Sequence, residues 1–256
     1  MRKVLKNKPL IEAIFEAHWA LKEQIGDFKV DPHYTILLGR MFDRVQDNYP
    51  FHEQLATANI PIEIAGRVVQ QRFRAKEGGW PLVQFGPGVC TLNDTDSYDW
   101  EKSFRPGIAD LIQKLFEAYP RPEDLQIENL ILRYIDAIIV DFEKENVFDF
   151  LRTKMKVNVD IQENVFEKTG ITRRPEVLDL RFAFHSQTPA GSLQLRFAKG
   201  NREGKDALIW ETVFSSSGED APKDIKSIIA WADNAHQITS NCFFEIIDGE
   251  LLRRFE

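Results

Sequence analysis

The chain of 256 residues carries 43% apolar and 29% charged side chains and a formal net charge of -7. That composition fits a folded globular protein and excludes a disordered one, while the acidity argues against a protein that coats DNA or RNA, which needs surplus Lys and Arg. Its two cysteines, Cys90 and Cys242, lie far apart in no CxxC or Cys/His spacing, so no disulfide framework, metal set or cofactor is expected.

The opening "MRKVLKNKPL" is basic without the apolar run of a signal peptide, and no segment approaches the roughly 18 apolar residues of a membrane span. A cytosolic protein is expected. After Pro9, "LIEAIFEAHWAL" places Ile11, Ala13, Phe15, Ala17 and Trp19 on one face, with Glu12, Glu16 and His18 on the other. This spacing of two predicts a half-buried strand. Residues 31–50 predict a helix that Asp31 can cap, with Pro32 in its first turn and Ile36, Leu37, Phe42 and Val45 as its apolar stripe. Residues 63–75 and 80–93 flank Lys76-Glu77-Gly78-Gly79, a hairpin signal. Within the second of these strands, Gly86-Pro87-Gly88 matches neither a P-loop nor a dinucleotide turn, and predicts a bulge or kink ended by Asn93 and Asp94.

Residues 97–119 carry Trp100, Phe104, Ile108, Leu111, Ile112, Leu115 and Phe116 at helical spacing, with a kink or a true start at Pro106-Gly107. The order then restarts. Residues 127–142 read as a strand, 146–155 as a short helix, and 176–187, 191–200 and 206–216 as a three-strand meander. Residues 222–247 close the chain as a long helix. The fold class is therefore α+β, a largely antiparallel sheet from two pseudo-repeated β-α-β(2–3)-α units, about 1–124 and 125–256, with the long helices on one face. The repeat is one of element order, without residue identity. No polar linker divides the halves, so the chain is expected to be a single globular domain over 1–256.

Two groups of residues are candidates for a site. Gln70, Arg72, Arg74, Arg181, Gln194 and Arg196 occupy polar strand faces, and if the strands align they form a basic patch for an acidic protein segment. Cross-strand pairing to Glu or Asp explains them equally well. Arg133, Tyr134, Asp136 and His236 form the alternative, a pocket between sheet and helices, because charges inside an apolar strand must find partners. By strand parity Arg133 and Asp136 lie on opposite faces. No nucleophile motif or convergent catalytic set is present.

Four stretches, "NKPLIEAIFEAHW", "QFGPGVCTLNDTDSYDWEKSF", "LRYIDAI" and "AHQITSNCFFEII", together resemble an uncharacterised, sporadically distributed family of bacterial proteins of about this length. The central signature is a glycine turn, a strand ending in Asn, then Tyr-x-Trp-x-x-x-Phe, and in the Arg-Tyr strand the family commonly has Asn where this chain has Asp136. The patchy distribution implies a laterally exchanged accessory gene, as in defence or toxin–antitoxin loci. The leading expectation is a non-enzymatic interaction protein whose partner is a protein, either another chain or a second copy in a homodimer, and neither nucleic acid nor membrane. An enzyme or small-ligand-binding protein built on the pocket is the alternative.

Overall fold

The computed structural model describes residues 5–256, so the first four residues of the basic opening lie outside the described residues. Two long strands form the middle of the molecule. Strand β1 (Leu10–Trp19) buries Ala13, Phe15, Ala17 and Trp19, the alternate positions that the sequence marks. It pairs antiparallel with β8 (Ile127–Ile139), placing Phe15 opposite Leu132 and Ala13 opposite Tyr134. Between them in the chain come a small hairpin, β2 (Glu23–Ile25) and β3 (Phe28–Val30), then helix α1 (Tyr34–Val45). A four-strand meander follows: β4 (Phe51–Gln54), β5 (Gln71–Arg74), β6 (Leu82–Gly86) and β7 (Val89–Asp94). A four-residue helix, α2 (Ile62–Ala65), interrupts it.

The first half ends in α3 (Arg105–Ala118), and the second repeats the plan. Helices α4 (Val147–Lys154) and α5 (Glu163–Thr169) lead to β9 (Asp179–Gln187), β10 (Ala190–Arg202) and β11 (Lys205–Ser217), then α6 (Ile225–Ile247) and α7 (Glu250–Phe255). All strands but β2 and β3 form one antiparallel nine-stranded sheet in the order β4-β5-β6-β7-β1-β8-β11-β10-β9. From the central β1–β8 pair each half runs outward through its last, second-last and third-last strand. The α+β class, the continuous antiparallel sheet and the repeated element order are therefore all present. The first half differs from expectation in having four meander strands rather than two, because β4 is too short to show alternation and the run expected as one strand over 80–93 is two, β6 and β7. No helix among the described residues is long and apolar enough to cross a membrane.

Two local readings need correction, and one open alternative is resolved. Gly86-Pro87-Gly88 is not a kink within one strand. Gly86 pairs with Val89, so Pro87 and Gly88 are the two-residue turn of the β6–β7 hairpin, and Gly88 takes φ +68°, which a two-residue turn requires and glycine tolerates. Gly86 is also fixed, since any Cβ there would meet the backbone of Val68. The buried stripe of α1 is Tyr34, Leu37, Met41 and Val45, while Ile36 and Phe42 point to solvent. The helix begins one turn after Asp31, which accepts the His33 N–H at 2.9 Å. At 97–119 the true start is found: a π-type turn over Trp100–Phe104, capped by the Asp99 carboxylate, precedes α3, whose first turn accommodates Pro106.

The helices cover one sheet face over two hydrophobic clusters. One gathers Phe15, Trp19, Phe85, Leu132 and Phe214 under α1, α3 and the first part of α6. The other gathers Ile138, Phe197, Leu208 and Trp210 under α4, α7 and the end of α6. Helix α6 spans both, contributing Ile228, Trp231, Ala232 and Ala235 to the first and Ile246 and Ile247 to the second. Between these two groups, its residues 236–244 pass over Tyr134, Asp136 and Thr212.

Candidate functional site

Five of the six residues of the expected patch, all but Gln70, share the sheet face away from the helices but not one place on it. Strand β5 stands six positions from β10, so at the usual strand spacing of about 4.8 Å the two groups are about 29 Å apart. Gln70 is buried and donates to the Ile60 carbonyl at 3.1 Å, which makes it a loop anchor. Arg74 donates to Glu53 at 2.6 Å and Arg72 to Glu53 at 3.3 Å. These bonds, Arg74's first, hold the Glu53 carboxyl below its ordinary range. At the other end Arg196 binds Asp179 at 2.9 Å and Glu211 at 2.6 Å, Arg181 binds Asp179 at 2.9 Å, and Gln194 is exposed on the strand between. Hydrogen bonds from Arg196 and then Arg181 drive Asp179 far below the usual carboxylate range. The expected single basic patch is thus two separate clusters: Arg72 and Arg74 share the one carboxylate of Glu53, and Arg181 and Arg196 are balanced by Asp179 and Glu211.

The alternative four residues divide as parity requires. Arg133 faces away from the helices, 3.9 Å from Glu16, in a polar group where Glu16 also meets His18 at 3.1 Å and Glu12 accepts from Asn93 at 2.8 Å. Tyr134, Asp136 and His236 meet on the other side. With Tyr98, Trp100, Thr212, Thr239, Ser240, Phe243 and Phe244 they line a cavity of about 340 Å³ whose mouth carries Lys8, Asp99, Glu101 and Lys102. Sheet, π-type turn and α6 each supply one wall.

Two aspects of this cavity matter chemically. A chain of polar groups runs along one wall: the Tyr98 hydroxyl donates to that of Tyr134 at 3.1 Å, which lies 2.9 Å from His236 Nδ1. With Tyr98 as donor, the Tyr134 proton points at Nδ1 and the imidazole proton is assigned to Nε2. The same imidazole stacks on Trp100 with centroids 3.9 Å apart and planes at 7°. The floor is different. Asp136 is 1% exposed, and its Oδ2, like Thr212 Oγ1 on the adjacent strand, finds no hydrogen-bond partner among the described residues. Burial alone pushes the Asp136 carboxyl up to about 8. A second buried acid shows that this is unusual for the fold: Asp31 is equally enclosed but accepts from Trp19 Nε1 at 2.7 Å and the Tyr119 hydroxyl at 3.1 Å.

Sequence reasoning found Tyr134, Asp136 and His236 but missed Thr212 and the aromatic wall. Thr212 had a readable signal. It interrupts the inward row Leu208, Trp210, Phe214 of β11, as Asp136 interrupts Leu130, Leu132, Tyr134, Ile138 of β8. A shallower hollow between α3 and α6 is a weaker candidate, because its Arg105 is already held bidentately by Asp233 at 2.6 and 2.8 Å. Neither thiol offers a nucleophile, since burial raises Cys90 to about 12 and also raises Cys242. The described residues contain no group of three or more potential metal ligands. No family model and no curated protein matches this chain, so the resemblance to the bacterial family rests on its sequence motifs alone.

Proposed function

We infer that this is a small-ligand-binding protein whose site is the cavity between the β8–β11 sheet face and α6. One observation supports the reading above all others: Tyr134, Asp136, Thr212 and His236 converge on a largely apolar cavity whose floor carries a buried carboxyl oxygen, Asp136 Oδ2, and a buried hydroxyl, Thr212 Oγ1, without hydrogen-bond partners among the described residues. Ligand sites have this character, an apolar and aromatic enclosure with a few convergent polar groups. Leaving such groups unmet costs about 1–3 kcal/mol each, more for a charge, and a ligand that meets them recovers that cost on binding. Binding is favoured over catalysis because, among the described residues, no activated nucleophile stands beside the Tyr98–Tyr134–His236 chain. A fragment screen by ligand-observed NMR tests this with wild type and Ser240→Trp, which places an indole in the cavity wall. Hits that compete with one another and vanish in the variant are expected. A screen with no hits, or with hits unchanged by Ser240→Trp, would overturn it.

A second reading, an accessory protein acting through a protein partner, is favoured by the far edge of the sheet. Among the described residues β9 pairs only with β10, and on its helix-side face Phe182 and Phe184 stack at 6.4 Å while remaining 38% and 50% exposed. An unpaired strand with exposed aromatics is a template for another chain. Crosslinking in an extract should map a partner to β9 and lose it in Phe182→Ser/Phe184→Ser. Crosslinks that survive the double substitution remove this reading.

A further inference from the structure

We propose that the cavity takes a compact organic cation, a protonated amine on an apolar body, with its N–H groups shared between Asp136 and Thr212. The inference rests on the pocket reading above and adds the charge of the ligand. Asp136 lies opposite Trp210, and Thr212 follows two residues later on the same face. The two side chains are therefore diagonal neighbours, with backbones about 7 Å apart, a gap that one ammonium group bridges with two hydrogen bonds. No described cation competes for the carboxylate. Lys8 at the mouth donates to the Tyr98 carbonyl at 2.6 Å, and the Lys102 side chain is 85% exposed and 3.8 Å from Asp99.

The walls agree with the floor. Aromatic faces attract cations, and Lys8 already places its ammonium 5.8 Å from the Tyr98 ring centroid. An anionic ligand would meet a buried acid with no Lys or Arg among the described residues at the same depth, an arrangement that desolvation penalises heavily. The raised pKa of Asp136 fits the same picture. At neutral pH the empty site holds a proton, and an arriving ammonium replaces it, leaving a charge-assisted pair.

Three probes that share a ring and a two-carbon framework separate the possibilities by charge: 2-phenylethylamine, 2-phenylethanol and phenylacetate, titrated calorimetrically into the full chain and into Asp136→Asn. Wild type should bind the amine at least about tenfold more tightly than the alcohol, with phenylacetate weakest. Asp136→Asn should bring the amine down to the alcohol's affinity. Alcohol or phenylacetate binding as tightly as the amine in wild type overturns the cation assignment and leaves the pocket reading standing. Silence from all three probes also overturns the assignment, and the Ser240→Trp fragment screen then decides the pocket separately. Should Asp136→Asn fail to fold, the ranking of the three probes by wild type decides alone.

Discussion

A buried carboxylate is tolerated only when something replaces its lost hydration, and this chain does so in two ways. Asp31 gains an indole N–H, a phenol and a backbone amide. Asp136 keeps its proton instead, because burial lifts it from the ordinary 3.8 to about 8. Between about pH 4 and about pH 8 the folded protein therefore holds a proton that the unfolded chain has released. The stability from this group is complete below about pH 4, is lost as pH rises to about 8, and changes no further above it. The melting temperature of wild type, followed relative to Asp136→Asn by calorimetry, should fall across that window. The comparison isolates Asp136 from Lys8, Asp99, Glu101, Lys102, Tyr134 and His236, which face the same cavity in both proteins. Coincident profiles would show that Asp136 is ionised in the folded state. Its position was legible from parity alone, since it occupies an inward place in an apolar row. That its Oδ2 meets no partner among the described residues was not legible, because that depends on α6 and residues 98–100 folding over it.

The sequence patterns describe elements well when they are long and one-sided. Strands β1, β8 and β11 are ten residues or more long and alternate over most of their length, and their faces follow directly from parity. Strand β4 has four residues and no buried one, and α2 a single turn, so neither leaves a period to detect. The β6–β7 hairpin misled for another reason. Both strands are buried along their whole length, so the apolar run continues across the turn and mimics one bent strand. Gly88→Val tests the turn. The substituted residue would have to hold φ +68°, and its Cβ would crowd Leu21, so a loss of about 1–3 kcal/mol is expected. Urea titration should show a lower midpoint with an unchanged slope. An unchanged midpoint would mean that the turn can adopt another geometry.

At the scale of the molecule, the two halves are joined by the β1–β8 ladder and by a helix that belongs to both hydrophobic clusters. Ile228 is fully buried near the start of that helix. Ile228→Asp should therefore cost more than about 3 kcal/mol and should lower one shared unfolding transition. Two resolved transitions, followed by calorimetry, would show that the halves unfold independently. The breadth of the sheet has a further consequence for whatever the protein meets. Neighbouring strands in a sheet rotate by about 20–25° with a fixed hand, so the six steps from β5 to β10 accumulate about 120–150°. At that general rate the sheet surface at Arg72 and at Arg196 would face directions about 120–150° apart, like opposite ends of a propeller blade. A rigid body seated on one arginine cluster has its back to the other, and the two ends of this face are separate addresses.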